Sequence, residues 1–145
     1  MKVLKEAITD QEFLQNLIPQ KPPFVMVGKL LQYTDRKIIS GFNIPEDNLF
    51  VFENRFTAPG LIENMAQTVA LHTGYKYYLA KKPAPTGYIG AIKKATVDAL
   101  PIVGQELETT VEILHDIMGI TMVSAKVICE GIVIASSEMK TALAN

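Results

Sequence analysis

The stretch 55–78, RFTAPGLIENMAQTVALHTGYKYY, constrains this chain more than any other, because it joins a long, mainly apolar helix to one carboxylate near the helix start. Pro59 suits a first helical turn: its φ is already close to helical, and its missing N–H had no intrahelical partner to lose. Thr57 stands where a cap would sit, just outside. From Gly60 onward Leu61, Ile62, Met65, Ala66, Val69 and Ala70 recur at helical spacing, and no proline intervenes before Pro83. The pattern predicts a helix of about 20 residues, roughly 30 Å long. Ala66, Ala70 and Gly74 form a stripe small enough to lie close against a sheet. The polar residues within the segment, Glu63, Asn64, Gln67 and Thr68, need their own explanation. Glu63 and Gln67 are one turn apart and share a face. A carboxylate in the first turn is favoured by the helix dipole, so Glu63 reads either as a dipole partner or as a site group.

The remaining composition sets limits. A chain of 145 residues with 48% hydrophobic content is long enough to bury a core, and residues 1–145 are expected to form one domain. A net charge of −1 gives no polyelectrolyte character that would suggest nucleic acid. The segment MKVLKEAITDQEF lacks the apolar core of a signal peptide and no run approaches membrane-spanning length, so the expectation is a cytoplasmic protein that engages no membrane. The single cysteine, Cys129, sits in a strand-like run and reads as buried packing. Two histidines without clustered Cys/His spacing argue against zinc, and no cofactor is expected.

Taken in order, Thr9 or Asp10 caps a short helix whose apolar side is Phe13, Leu14, Leu17 and Ile18, placed as a lid on something larger. After Pro22 and Pro23, residues 24–33 read as a first strand and 38–44 as a second, with a turn at 34–37. Residues 45–58 read as a loop, too apolar at Leu49, Phe50, Val51, Phe52 and Phe56 to lie open in water. Beyond the long helix, strands are predicted at 87–97, 105–114, 120–129 and 132–141, with a tight hairpin at Glu130 and Gly131. Leu107, Thr109, Val111 and Ile113 alternate with Glu106, Glu108, Thr110 and Glu112, the mark of a strand with one wet face. Two strands, a long helix and four more strands suit an α+β antiparallel sheet curled round one helix. Such a sheet leaves edges, and dimerisation covers edges.

At this point the residues resemble a known family. PPFVMVGKLLQY, the helix IENMAQTVALHTGY, and the later GYIGAIKKATVDALPIVGQELETTVEIL and GITMVSAKVICEGIVIASSEMKTAL are similar to the hotdog-fold 3-hydroxyacyl-(acyl carrier protein) dehydratases across about residues 17–143. The helix segment is nearer still to the dehydratase-like hotdog proteins of aryl-polyene and related pigment clusters. The resemblance implies a hotdog sheet of about six strands round the central helix, a homodimer or higher homo-oligomer, and an acyl-thioester site at the subunit interface. The thioester would be carried by acyl carrier protein or coenzyme A, in fatty-acid or polyene-type synthesis.

Dehydration of a 3-hydroxyacyl thioester needs a base for the C2 proton, an acid for the departing C3 hydroxyl, and a donor to the developing enolate oxygen. The family provides a histidine in a Gly-His-Phe-Pro-Gly loop and a helix carboxylate. Glu63 matches the carboxylate, with Gln67 one turn on, and backbone amides at Gly60, Leu61 or Ile62 match the oxyanion donor. The histidine is absent: its best counterpart is Arg55, beside Phe56, and a guanidinium is no proton acceptor. Arg55 could still hold a thioester carbonyl or a carrier phosphate. A second family histidine corresponds to Gln20. His72, about 180° round the helix from Glu63, reads as a helix-face or interface residue, and His115 as a solvent-exposed strand end. Three readings follow: a dehydratase using Glu63 with Arg55 as electrostatic helper, a hotdog thioesterase, or a non-catalytic subunit paired with a histidine-bearing dehydratase. Lys21, Lys81, Lys82, Lys93 and Lys94 are candidates for carrier recognition, with solvated lysine as the ordinary alternative.

Overall fold

In the computed structural model, which describes residues 4–143, the chain opens with helix α1 (Gln11–Leu17). Asp10 caps it, its carboxylate accepting from the Phe13 amide at 3.1 Å. Strands β1 (Lys29–Thr34) and β2 (Lys37–Asn43) follow, then a small hairpin of β3 (Val51–Phe52) and β4 (Arg55–Phe56). The long helix α2 (Ala58–Leu79) leads to β5 (Gly87–Val97), β6 (Glu106–Ile117), β7 (Ile120–Cys129) and β8 (Ile132–Leu143). Six strands form one antiparallel sheet in the order β1-β2-β6-β7-β8-β5. Strand β6 shows the expected alternation, with Leu107, Thr109 and Val111 fully buried, Glu106, Glu108 and Glu112 exposed and Thr110 half-buried. Buried positions of the central strands meet Leu61, Met65 and Leu71 of α2 to form the core.

Several expectations change on contact with the fold. The first strand starts at Lys29 rather than residue 24, because Phe24 and Met26 bond to α2, and only Gly28 just before the strand reaches β2, its amide donating to the Gly41 carbonyl at 2.8 Å. Gln67 Oε1 accepts from the Met26 amide at 2.6 Å, Gln67 Nε2 donates to the Phe24 carbonyl at 2.7 Å, and Asn64 Nδ2 donates to the Met26 carbonyl at 2.7 Å. Asn64 Oδ1 accepts from Thr109 at 2.6 Å, and Thr68 meets Ser40 at 2.7 Å. Each buried polar residue of the helix is thereby satisfied, as burial in a medium of low dielectric demands.

The apolar loop contains the β3–β4 hairpin, which turns on two left-handed residues, Glu53 (φ 49°) and Asn54 (φ 67°). Phe56 is buried from it, whereas Phe52 stays 67% exposed. Thr57 holds the N-cap position without capping; its hydroxyl donates to the Phe50 carbonyl at 2.6 Å. Glu63 falls beyond the first turn of α2, where a dipole effect has faded. The stripe of small residues faces α1 and a cavity, not the sheet: a Cβ on Gly74 would run into the Leu17 carbonyl.

Candidate active site

Glu63 is half-buried on the wall of a cavity of about 290 Å³. Its Oε2 accepts from Gln67 Nε2 at 3.0 Å, so the shared helix face becomes a hydrogen bond, and Oε1 has no partner among the described residues. Gln67 is itself locked by Met26 and Phe24, which fixes the carboxylate at one oxygen and leaves the other open. The cavity runs along α2 past Ala66, Ala70 and Gly74, between residues 16–20 at the end of α1 and residues 84–89 at the start of β5. From Glu63 to Gly74 the helix rises about 16 Å, at roughly 1.5 Å per residue. Apart from Glu63, Asn16, Gln20 and a few threonines, the lining is apolar or small.

The three candidate amides differ in what they can offer. The Leu61 N–H is taken by the Thr57 carbonyl at 3.1 Å, and that of Ile62 falls to the next carbonyl along the helix. Gly60, inside the first turn, has the free N–H. It is buried, outside the lining of the cavity, and a Cβ there would lie 2.6 Å from the Phe56 ring and 2.9 Å from Phe50 Cβ. Phe56, packed on Phe42 at 5.8 Å, thus wedges the helix start in place, which needs a glycine at position 60.

Arg55 does not line the cavity. Its Nη1 donates to the Leu100 carbonyl at 2.8 Å, its side chain is exposed, and it makes no ion pair with Glu63. Neither histidine lines the cavity either. His72 is buried at 5% exposure, Nε2 lies 2.9 Å from the Thr34 carbonyl, and its ring is 4.9 Å from Tyr33. Burial, more than the neighbouring Lys76, holds its imidazole below the ordinary histidine range. His115 is exposed, and Cys129 is buried, with its thiol pushed up by that burial. Lys21 is occupied as a cap: Nζ donates to the carbonyls of Gln15 at 2.6 Å and Ile18 at 2.7 Å. The other four candidate lysines are exposed. Among the described residues no group of three or more His, Cys, Asp or Glu could hold a metal ion, and no helix is long and apolar enough to cross a membrane. Sequence reasoning missed the cavity's outer walls, because residues 16–20, 84–89, Thr141 and Leu143 converge only in the fold.

With this geometry in place, comparison decides the family. Residues 13–144 match the family model described as ApeP-like, ApeP dehydratase. The chain belongs to the ApeP-like dehydratase family. Dehydratases of this kind are lyases, and the ApeP-like assignment agrees with curated relatives. A 3-hydroxyacyl-[acyl-carrier-protein] dehydratase FabZ of Vibrio atlanticus is 27% identical over 139 residues, covering 89% of each chain. The ApeP-like chain also superposes on a chain of the dehydratase heterocomplex ApeI:P from Xenorhabdus doucetiae, with a TM-score of 0.84, 16% identity and 91% of each chain covered. A hypothetical thioesterase with coenzyme A from Streptococcus pneumoniae has a TM-score of 0.65 at 8% identity, covering 80% of this chain and 84% of its own. At such identities the likeness establishes the fold alone: a hotdog, six antiparallel strands wrapped round α2.

Proposed function

We propose that this ApeP-like protein dehydrates 3-hydroxyacyl thioesters, with Glu63 as the general acid and base. The carrying observation is a half-buried carboxylate held at one oxygen by Gln67 and open at the other, on the wall of a mainly apolar cavity. The free oxygen takes the C2 proton of the thioester. As negative charge moves to the thioester oxygen, the N–H of Gly60 at the start of α2 receives it. The C3–O bond then breaks, the protonated Glu63 returns its proton to the leaving hydroxide, and water departs as the C2–C3 double bond forms. Phe56 packs against Gly60, and neither it nor Leu61 or Ile62 lines the cavity. Arg55, tied to Leu100 in its own chain, acts as electrostatic helper only toward an adjacent protomer. An acyl carrier protein or coenzyme A presents the thioester, as the carrier named for the FabZ relatives suggests.

A pairing of two chains would fit the same reading. The outer edge of β1 is bridged by Ile8, which exchanges two 2.9 Å backbone bonds with Leu30, whereas the outer edge of β5 has no strand partner among the described residues. Tyr88, Ile89 and Ile92 on β5 are 61%, 40% and 44% exposed beside the cavity, and a second protomer across that edge would cover them. The absence of both histidines from the cavity favours one second reading: a heterodimer whose histidine-bearing partner completes the site.

Purified protein incubated with 3-hydroxyacyl and trans-2-enoyl thioesters should interconvert them without releasing thiol. Glu63→Gln should lower that rate by about 10²–10⁴-fold, the usual contribution of a positioned acid–base group. Retained turnover in the variant would remove Glu63 from the mechanism. Thiol release would instead identify a thioesterase, and silence with both substrates until a histidine-bearing homologue is added would identify the partner subunit.

A further inference from the structure

Three carboxamides near Glu63 are used differently, two of them on α2. Gln67 and Asn64 use both ends: each oxygen accepts and each nitrogen donates within the chain. Gln20 uses neither. Its Oε1 is the one buried side-chain oxygen or nitrogen left without a partner among the described residues, and its Nε2 finds no acceptor among them. A buried acceptor left unmade costs about as much as a lost hydrogen bond, so a fold keeps one only where something else gains. Gln20 follows Pro19 at the end of α1, half-buried, and lines the same cavity as Glu63.

We infer that Gln20 binds the 3-hydroxyl of the substrate, a role that rests on the dehydratase reading above. A 3-hydroxyacyl thioester brings two oxygens to the cavity. The thioester oxygen has the Gly60 N–H at the start of α2. The 3-hydroxyl has no such backbone donor, and Gln20, once its carboxamide rotates to bring the enclosed Oε1 to the cavity, offers it both an acceptor and a donor. A hydroxyl is likewise both, so one carboxamide turned toward it satisfies a pair of groups that are otherwise idle. Held in this way, the leaving oxygen sits on the wall that carries Glu63, where the carboxyl can deliver its proton.

The test is a binding comparison in a Glu63→Gln background, which stops turnover. Octanoyl-pantetheine and 3-hydroxyoctanoyl-pantetheine differ only in the hydroxyl, so the ratio of their dissociation constants by calorimetry reads the contact. The hydroxylated ligand should bind about threefold to tenfold tighter, as one neutral hydrogen bond allows. Adding Gln20→Met, similar in length and without polar ends, should erase that ratio while the melting temperature stays level or rises. A ratio that survives Gln20→Met, a ratio of one at the outset, or a fall in melting temperature of several degrees would overturn the role of Gln20 and leave the dehydratase reading standing. Failure of both ligands to bind would sink that reading itself.

Discussion

At the scale of single residues, the polar side chains of α2 divide the labour. Asn64, Gln67 and Thr68 face inward and are hydrogen-bonded, and of these four neighbours Glu63 is the one that keeps an oxygen free beside the cavity. His72 belongs to the first group in packing but carries a titratable ring. Burial lowers its pKa from the ordinary 6.5, so between the lowered value and about 6.5 the unfolded chain binds more protons than the folded one. Stability therefore rises with pH through that window and is lost as pH falls through it. Melting temperature should drop on acidification below about pH 6.5, ahead of the carboxylates. His72→Gln keeps a donor for the Thr34 carbonyl and removes the titration, so it should flatten that part of the profile. An unchanged profile in the variant would exclude His72 as its source.

At the scale of elements, α1 is clamped onto α2 through Gly74, whose missing side chain makes room for the Leu17 carbonyl. Gly74→Ala sets two effects against each other. Alanine gains about 1 kcal/mol of helix propensity, but the obstacle is backbone and cannot swing away, so crowding of about 1–3 kcal/mol should prevail. The expected outcome is a melting temperature lowered by a few degrees, with hydrogen exchange rising mainly in α1. Much of this layer is legible in sequence. The alternation of β6, the Glu130-Gly131 turn and the i, i+4 pair of Glu63 and Gln67 are local patterns that survive folding unchanged. The β3–β4 hairpin is not, because its left-handed turn is made by Glu53 and Asn54 without the glycine that usually marks one. Nor is the strap across α2, since the Met26 and Phe24 backbones are held by side chains about 40 positions away in the chain. The site divides the same way: its carboxylate is readable from one helix, its walls only from four distant segments.

At the scale of the whole molecule, the two sheet edges are unequal. Ile8 closes one, and on the other a bulge at Lys93–Thr96 together with Lys93 and Lys94 blunts the far half of β5. The near half, with Tyr88, Ile89 and Ile92, is where the proposed pairing lies, next to the cavity mouth. Ile92→Lys should shift the sedimenting species toward monomer and lower turnover together; loss of neither would place the interface elsewhere. The β6–β7 hairpin adds a feature of another kind at its tip, where Met118 is 96% exposed and Met26, Met65 and Met139 are fully enclosed. Because peroxide reaches an accessible thioether long before a sealed one, mild oxidant should convert Met118 to its sulfoxide first, visible as a 16 Da gain (about one oxygen) on a single peptide. The enclosed three then act as sentinels, and oxygen appearing on them would report that the sheet has parted from α2.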